Sequence, residues 1–228
     1  MAKKPVGRPR NDDRDNDRKT AILNASEKLF AQRGYDGVTL RTIAREAGVD
    51  LALISYYFGP KQQLFDTVFQ RRAMILNENR LAALTEARRR QNPIPLESII
   101  EAYLRPLEMA QESTDDGWRN YCALLAYVNN SPVWGSLLMS RHFDAPMEFF
   151  VEALAVTLPH ARRADLYWCY HFMSGALSLT FANTGRIDAM SGGLCQSDDF
   201  RTAYDRMIPF VAAGFYRVCG GAPAFPAP

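Results

Sequence analysis

Apolar residues recur at helical spacing along most of the chain. From Arg18 they fall three or four positions apart, beginning with Ile22, Ala25 and Leu29. No useful stretch alternates as a strand does, and glycine or proline separates the periodic segments. The pattern predicts an all-α protein of about nine helices, at 18–33, 39–47, 50–58, 61–89, 96–111, 118–130, 133–157, 162–184 and 199–218.

Breaks in this pattern suggest four parts. Residues 1–17 are polar and contain Pro5, Gly7 and Pro9, which predicts a flexible basic arm. Residues 18–65 form a small helical domain and residues 66–219 a larger one. The Pro/Ala/Gly-rich stretch at 220–228 is expected to be a frayed tail.

Charge is divided unevenly along the chain. The 228 residues carry a net charge of +2, but residues 1–90 hold 18 Lys and Arg against 11 Asp and Glu, and the remainder has an excess of acid. A basic N-terminal part suits a polyanionic partner, and chance asymmetry is the alternative. With 47% hydrophobic residues the chain is not expected to be mainly disordered.

Four widely spaced cysteines form no C-x-x-C pair, and the three histidines make no ligand set with them. This pattern predicts a reduced, cytoplasmic chain without a metal site or cofactor. The first residues, MAKKPVGRPR, lack the apolar core of a secretory signal. The uncharged run from Leu166 to Ala182 falls short of the ~20 residues that a membrane span needs.

The segment from Thr39 to Phe58, TLRTIAREAGVDLALISYYF, has the organisation of a helix-turn-helix. Gly48 can adopt the positive φ that turns the chain between the two helices. Small Ala44 permits a close helix crossing, and Val49 and Ile54 are expected to fill the wedge between the helices.

One face of the second helix of this pair is expected to stay exposed. With Ile54 at the buried centre, Ala52 and Tyr56 point the opposite way. Their apolar and aromatic groups suit the DNA major groove, where methyl groups contact thymine. A plain helical hairpin is the alternative. The predicted DNA contacts are Thr39, Arg41, Arg45, Leu51, Ala52, Leu53, Ser55, Tyr56, Tyr57 and Lys61.

Residues 18–65 resemble the DNA-binding domain of the TetR family of transcriptional repressors. The resemblance rests on YYFGPKQQLF, which is similar to the family's Tyr-x-His-Phe-x-x-Lys-x-x-Leu signature, with Tyr57 where members often carry His. It rests further on Ile22, Ala25, Leu29, Phe30, Gly34, Thr39, Ile43, Ala44, Ala47, Gly48, Val49, Ile54, Phe58, Lys61 and Leu64. The resemblance implies that the remaining helices bind a ligand and form a dimer.

The N-terminal arm provides a separate signal. Its Gly7-Arg8-Pro9 sequence resembles the core of AT-hook peptides, whose arginines enter a narrow A·T minor groove. Arg8 and Arg10 are therefore predicted DNA contacts. The alternative is a disordered start that is merely basic.

The C-terminal half supplies candidates for an effector pocket, because such pockets combine apolar walls with a few polar anchors. Arg119 could receive a carboxylate or phosphate, although a solvated arginine or an internal ion pair is favoured for it, and His171 is expected to be a core histidine rather than a ligand contact. The segment YWCYHFMSGALSLTFANTGRIDAMSGGLC resembles the effector domain of fatty-acid-responsive repressors, which implies an apolar acyl or aromatic effector. The candidates, which could instead build the core, are Tyr103, Leu107, Trp118, Arg119, Tyr121, Leu125, Phe149, Trp168, His171 and Phe172.

The last two long helices are expected to pair with their copies in a homodimer. Leu166–Ala182 is apolar nearly all round, and the final helix carries a regular apolar stripe. A four-helix interface would bury both. Its predicted residues are Gly175, Ala176, Tyr204, Ile208, Val211, Ala212 and Phe215.

Together these features predict a homodimeric repressor that binds double-stranded DNA at a palindromic operator and is released by an apolar small molecule. An architectural protein that binds DNA without sequence choice is one alternative. An all-α enzyme is another, disfavoured because the chain shows no catalytic, phosphate-binding or metal-binding motif.

Overall fold

The computed structural model describes residues 11–111 and 115–220, and every regular element within those ranges is helical. The prediction of an all-α protein is confirmed. The helices are α1 (Asn11–Arg33), α2 (Leu40–Ala47), α3 (Leu51–Phe58), α4 (Lys61–Arg90), α5 (Leu96–Gln111), α6 (Asp116–Asn129), α7 (Pro132–Trp134), α8 (Ser140–Thr157), α9 (Arg163–Phe181), α10 (Arg186–Met190) and α11 (Phe200–Val218), with a π-helical stretch at Gly135–Met139 before α8.

The chain divides into two compact units, Met1–Phe69 and Gln70–Pro228, with the division inside α4. In the first unit α1 packs on α2, and α2 on α3. Its core includes an edge-to-face contact between the rings of Phe30 and Phe65, with centroids 4.8 Å apart. Ile54 of α3 is completely buried.

Local hydrogen bonds set both ends of α2. The Thr39 hydroxyl accepts the Thr42 N–H at 3.1 Å, and the Thr39 N–H donates to the Thr42 hydroxyl at 3.0 Å, which makes a capping box. Gly48 ends the helix at φ 66°, a conformation that glycine adopts without strain. Asp50 occupies the N-cap position of α3, but its side chain makes no capping hydrogen bond.

Helix α1 begins at Asn11, so the prediction of a flexible arm through residue 17 is wrong for residues 11–17. The Tyr57 hydroxyl donates to Asp15 Oδ1 at 2.6 Å and ties this first part of the helix to α3. Acidic residues near a helix start are also stabilised by its dipole. The sequence hid this extension because residues 11–17 are polar.

The second unit is built around α5 and α9. Each of these two helices packs against α6, α8 and α11. Fully or nearly fully buried residues from these helices form the core, among them Leu104, Leu107, Tyr121, Leu124, Val151, Leu166, Leu177, Tyr204 and Phe215.

Two details of the second unit differ from the predicted helices. The expected helix over 133–157 is divided into α7, the π-helical stretch and α8. Ser131 caps α7 by accepting the Trp134 N–H at 3.1 Å, and Gly135 lies close to the backbone of α6. The stretch between the predicted helices at 162–184 and 199–218 contains the short helix α10.

Replacing Ile54 by alanine is expected to lower the free energy of unfolding by about 2–5 kcal/mol, because it leaves a cavity in the small first unit. Leu51→Ala on the exposed side of the same helix is the matched control and should cost less than about 0.5 kcal/mol. Urea denaturation followed by circular dichroism measures both. Equal effects of the two substitutions would contradict the packing described for α3.

Candidate nucleic-acid interface

Helix α3 turns an apolar and aromatic face outward. Tyr56 exposes 81% of its surface, whereas Ile54, two positions earlier, exposes none. Leu51, Ala52 and Ser55 are also exposed, and Leu53 is half-buried. The register predicted from the sequence, with Ala52 and Tyr56 opposite Ile54, is therefore the one observed.

Basic groups accompany this face. Arg41 and Arg45 are exposed on α2. An open cleft of about 520 Å³ lies where α1, α2 and α3 meet, and its wall includes Arg18 and Arg45 together with Asp17 and Asp50. Cations beside an exposed apolar helix face can bind phosphates while the face meets base edges.

Tyr57 is engaged within the unit. Its hydroxyl donates to Asp15, and this hydrogen bond raises the pKa of the Tyr57 hydroxyl. The Lys19 ammonium lies 5.0 Å from the centre of the ring. This hydrogen bond fixes the start of α1 against α3, and a DNA contact from Tyr57 stays a prediction.

Two other predicted contacts have structural partners. The Lys61 ammonium lies 4.0 Å above the ring of Tyr35, a cation–π contact. Thr39 is exposed but its hydroxyl takes part in the α2 capping box. Arg8 and Arg10 lie outside the described residues, so their role stays a prediction.

The ten effector candidates do not line one pocket. Tyr103, Leu107, Tyr121 and Leu125 are buried in the core of the second unit. Trp118 is half-buried, with the guanidinium carbon of Arg72 4.8 Å from its ring centre.

The other five candidates are exposed. Arg119 pairs with Asp116 at 3.6 Å, the internal ion pair that was the alternative for this residue. Trp168, His171 and Phe172 form a cluster on the outer side of α9, where the rings of Trp168 and Phe172 stack with centroids 5.8 Å apart. Phe149 is exposed on α8. An interior pocket containing these five residues is therefore not formed, and His171 is not a core histidine.

The residues of α11 that were predicted to form the dimer interface do not lie on the surface. Tyr204, Ile208, Val211, Ala212 and Phe215 are all buried inside their own chain. The regular apolar stripe packs α11 onto α5 and α9, which explains its regularity. On α9, Gly175 is exposed and Ala176 half-buried.

A different apolar surface faces outward on α9 and α11. We call it the α9–α11 face, defined by Trp168, Phe172, Leu179, Phe210 and Val218, all more than one-third exposed. The α9 members, with Gly175, follow a spacing of four, three and four. A groove of about 510 Å³ runs between the two helices and is lined by Phe172, Phe210 and Gly214.

Sequence reasoning missed Asp15 and Arg80. Asp15 offered no signal, since aspartate is ordinary in a polar arm. Arg80 did offer a signal in the sequence, because it falls at helical spacings of three and four with Ala73, Leu76 and Leu84 on α4. All four residues are buried. An arginine in a buried apolar stripe requires a physical explanation.

In the described ranges, none of the helices combines the length and apolar character needed to cross a membrane. Residues 11–111 and 115–220 likewise contain no group of three or more His, Cys, Asp and Glu side chains placed to hold a metal ion.

A capped helix-turn-helix and a larger helical unit define a class of helical regulatory proteins. Residues 22–68 match the family described as bacterial regulatory proteins, tetR family. Residues 101–214, half of the chain, match the tetracyclin repressor-like C-terminal domain. The chain belongs to the TetR family.

Curated relatives match part of the chain. The HTH-type transcriptional regulator BetI of Agrobacterium fabrum is 39% identical over 70 residues, 31% of this chain and 34% of BetI. The HTH-type transcriptional regulator HbdR of Aromatoleum sp. is 44% identical over 48 residues, 21% of each chain. The chain thus matches about a third or less of the length of these relatives.

Solved structures share the fold of nearly the whole chain. A putative TetR family transcription regulator from Shewanella sp. PV-4 has a TM-score of 0.61 at 18% identity, covering 89% of this chain and 96% of its own. The fatty acid degradation regulator FadR of Bacillus halodurans has a TM-score of 0.60 at 15% identity, covering 84% and 94%. At these identities the likeness establishes the fold alone.

Proposed function

We propose that this protein is a DNA-binding transcriptional repressor that acts as a homodimer on a palindromic operator and is released by an apolar small molecule. The observation that carries the proposal is the outward apolar face of α3, with Tyr56 at its centre. Such a regulator works on chromosomal DNA and would act in the cytoplasm.

The DNA major groove suits both the helical shape and the apolar character of the exposed face of α3. Its width admits one α-helix, and thymine methyl groups provide apolar partners for Leu51 and Ala52. Exposed Arg41 and Arg45 supply the cations that phosphates require. Arg8 and Arg10 would add minor-groove contacts at A·T-rich sequence. Membership of a family of bacterial regulatory proteins supports the same function.

The α9–α11 face supports the homodimer. Phe210 exposes 72% of its surface and Leu179 68%, on neighbouring helices that also expose Gly175 and Gly214. A two-fold pairing of this face would bury these side chains, with the glycines permitting close helix approach. A two-fold dimer carries two copies of α3, which is why its operator is expected to be palindromic.

A small molecule can release the protein from DNA only if it binds the DNA-competent and the released conformations with different affinities. The resemblance of the segment that begins at Tyr167 to the effector domain of fatty-acid-responsive repressors favours an acyl or aromatic molecule.

Binding to an operator obtained by in vitro selection should exceed binding to scrambled DNA by about 10³-fold or more, as measured by fluorescence anisotropy. Arg41→Ala should weaken binding and reduce the slope of log K against log salt by about one, since one phosphate contact is lost. Arg88→Ala, an exposed arginine near the end of α4, is the control and should change neither quantity. A selected-to-scrambled ratio near one would favour the architectural alternative.

Phe210→Asp should convert the protein from a dimer to a monomer of 25.7 kDa at micromolar concentration, because it places a charge within the apolar contact. Val133→Asp changes a similarly exposed apolar residue on α7 and should leave a dimer. Sedimentation equilibrium measures the mass of each. A monomeric wild-type protein, or a dimeric Phe210→Asp variant, would refute the α9–α11 interface.

A further inference from the structure

The first turns of α1 bring a carboxylate and two cations to the same phenol. The Tyr57 hydroxyl donates to Asp15 Oδ1 at 2.6 Å. The Arg18 guanidinium lies against the same hydroxyl, and the Lys19 ammonium lies 5.0 Å from the centre of the Tyr57 ring. Asp15, Arg18 and Lys19 stand at positions i, i+3 and i+4 of the helix, so one face of α1 carries all three groups to α3.

Three of these four groups are of the kind that binds phosphate. A guanidinium, an ammonium and a phenol hydroxyl all donate hydrogen bonds to backbone oxygens in DNA complexes. The hydrogen bond to Asp15 raises the pKa of Tyr57, so the hydroxyl keeps the proton with which it donates. Within the folded chain the acceptor of this hydrogen bond is a carboxylate, which offers an anionic oxygen as a phosphate does.

This group of side chains borders the surface proposed to contact DNA. Tyr57 directly follows Tyr56, which exposes 81% of its surface on the outer face of α3. Arg18 lines the open cleft between α1, α2 and α3 together with Arg45. Arg18 and Lys19 are both exposed. A DNA strand whose phosphates meet Arg45 can therefore extend to the two cations of α1.

We propose that Arg18, Lys19 and Tyr57 form a binding site for one DNA backbone phosphate, and that the Asp15 carboxylate occupies this site in the DNA-free protein. The phosphate replaces the carboxylate as the acceptor of the Tyr57 hydrogen bond. Asp15 thereby lowers the affinity for DNA of any sequence, because the complex loses the Asp15–Tyr57 contact and holds two anions close together. The inference rests on the proposed contact of α3 with DNA and adds a site on α1.

Asp15→Asn tests the competition directly. It removes the charge, and the amide oxygen that it introduces can still accept the hydrogen bond from Tyr57. Binding of the full-length protein to selected operator and to scrambled DNA is measured by fluorescence anisotropy. Both affinities should rise by about three- to tenfold. Their ratio should stay the same, because a phosphate contact carries no sequence information.

A purely structural tether between α1 and α3 gives the opposite expectation. Unchanged or weaker DNA binding by Asp15→Asn would therefore overturn the proposal. Asp17→Asn is the matched control, because Asp17 is exposed and lies about 200° around α1 from Asp15. It should raise the affinity by less than about twofold, since exposed charges are screened by salt. An equal gain from the two substitutions would assign the effect to net charge and refute the site.

Arg18→Gln tests the cations and leaves Asp15 and Tyr57 unchanged, so it decides the matter even if Asp15→Asn fails to fold. It should weaken binding to both DNAs by about threefold or more and reduce the slope of log K against log salt by about one. An unchanged slope would overturn the site.

A double-mutant cycle tests whether Asp15 acts through these cations. In a protein that carries both Arg18→Gln and Lys19→Gln, adding Asp15→Asn should change the affinity by less than about twofold, because the site no longer holds a phosphate. A threefold or larger gain in that background would show general repulsion by Asp15 and refute the site.

The same measurements separate this inference from the proposed function. A wild-type protein that prefers the selected operator, with Asp15→Asn bound no more tightly, would support the regulator and refute the α1 site. A wild-type protein that binds neither selected nor scrambled DNA would contradict both.

Discussion

The burial of Ile54 fixes how α3 is turned, and the proposed DNA contact depends on that orientation. A helix advances 100° per residue, so a completely buried Ile54 places Tyr56 about 200° away, where it exposes 81% of its surface. The short α2–α3 pair keeps this register because Gly48 closes the turn and Thr39 caps the first helix. The Tyr57–Asp15 hydrogen bond then ties the same helix to α1.

Exposed apolar surface occurs in both units with different chemistry around it. On α3 it is aromatic and accompanied by the arginines of α2, a combination suited to a nucleic acid. On the α9–α11 face it combines large apolar groups with glycines, as in a contact between identical helices. Arg80 is the reverse case, a charge inside the apolar core of the second unit.

The sequence predicted the helical fold and the outward face of α3, because placing Ile54 at the buried centre of this short helix turns Ala52 and Tyr56 outward. It did not predict which side of α11 faces out. That helix carries two apolar sides, and the more regular one, with Tyr204 and Val211, belongs to its own core. The start of α1 was missed because Asp15 becomes informative only once Tyr57 is beside it. The residues predicted to bind an effector do not lie together in the structure. Aromatic composition alone does not distinguish Tyr103 in the core from Trp168 on the surface.

Site-directed disulfide cross-linking tests most directly whether α3 lies in the major groove. A Tyr56→Cys variant would carry Cys195→Ser, because Cys195 is the exposed cysteine of the chain while Cys122, Cys169 and Cys219 are buried. Selected operator DNA would carry a thiol tether either on thymine C5 in the major groove or on guanine N2 in the minor groove. The account predicts cross-linking to the major-groove tether alone. Cross-linking to the minor-groove tether alone would contradict the account. So would the absence of cross-linking to both tethers in a variant that still binds the DNA.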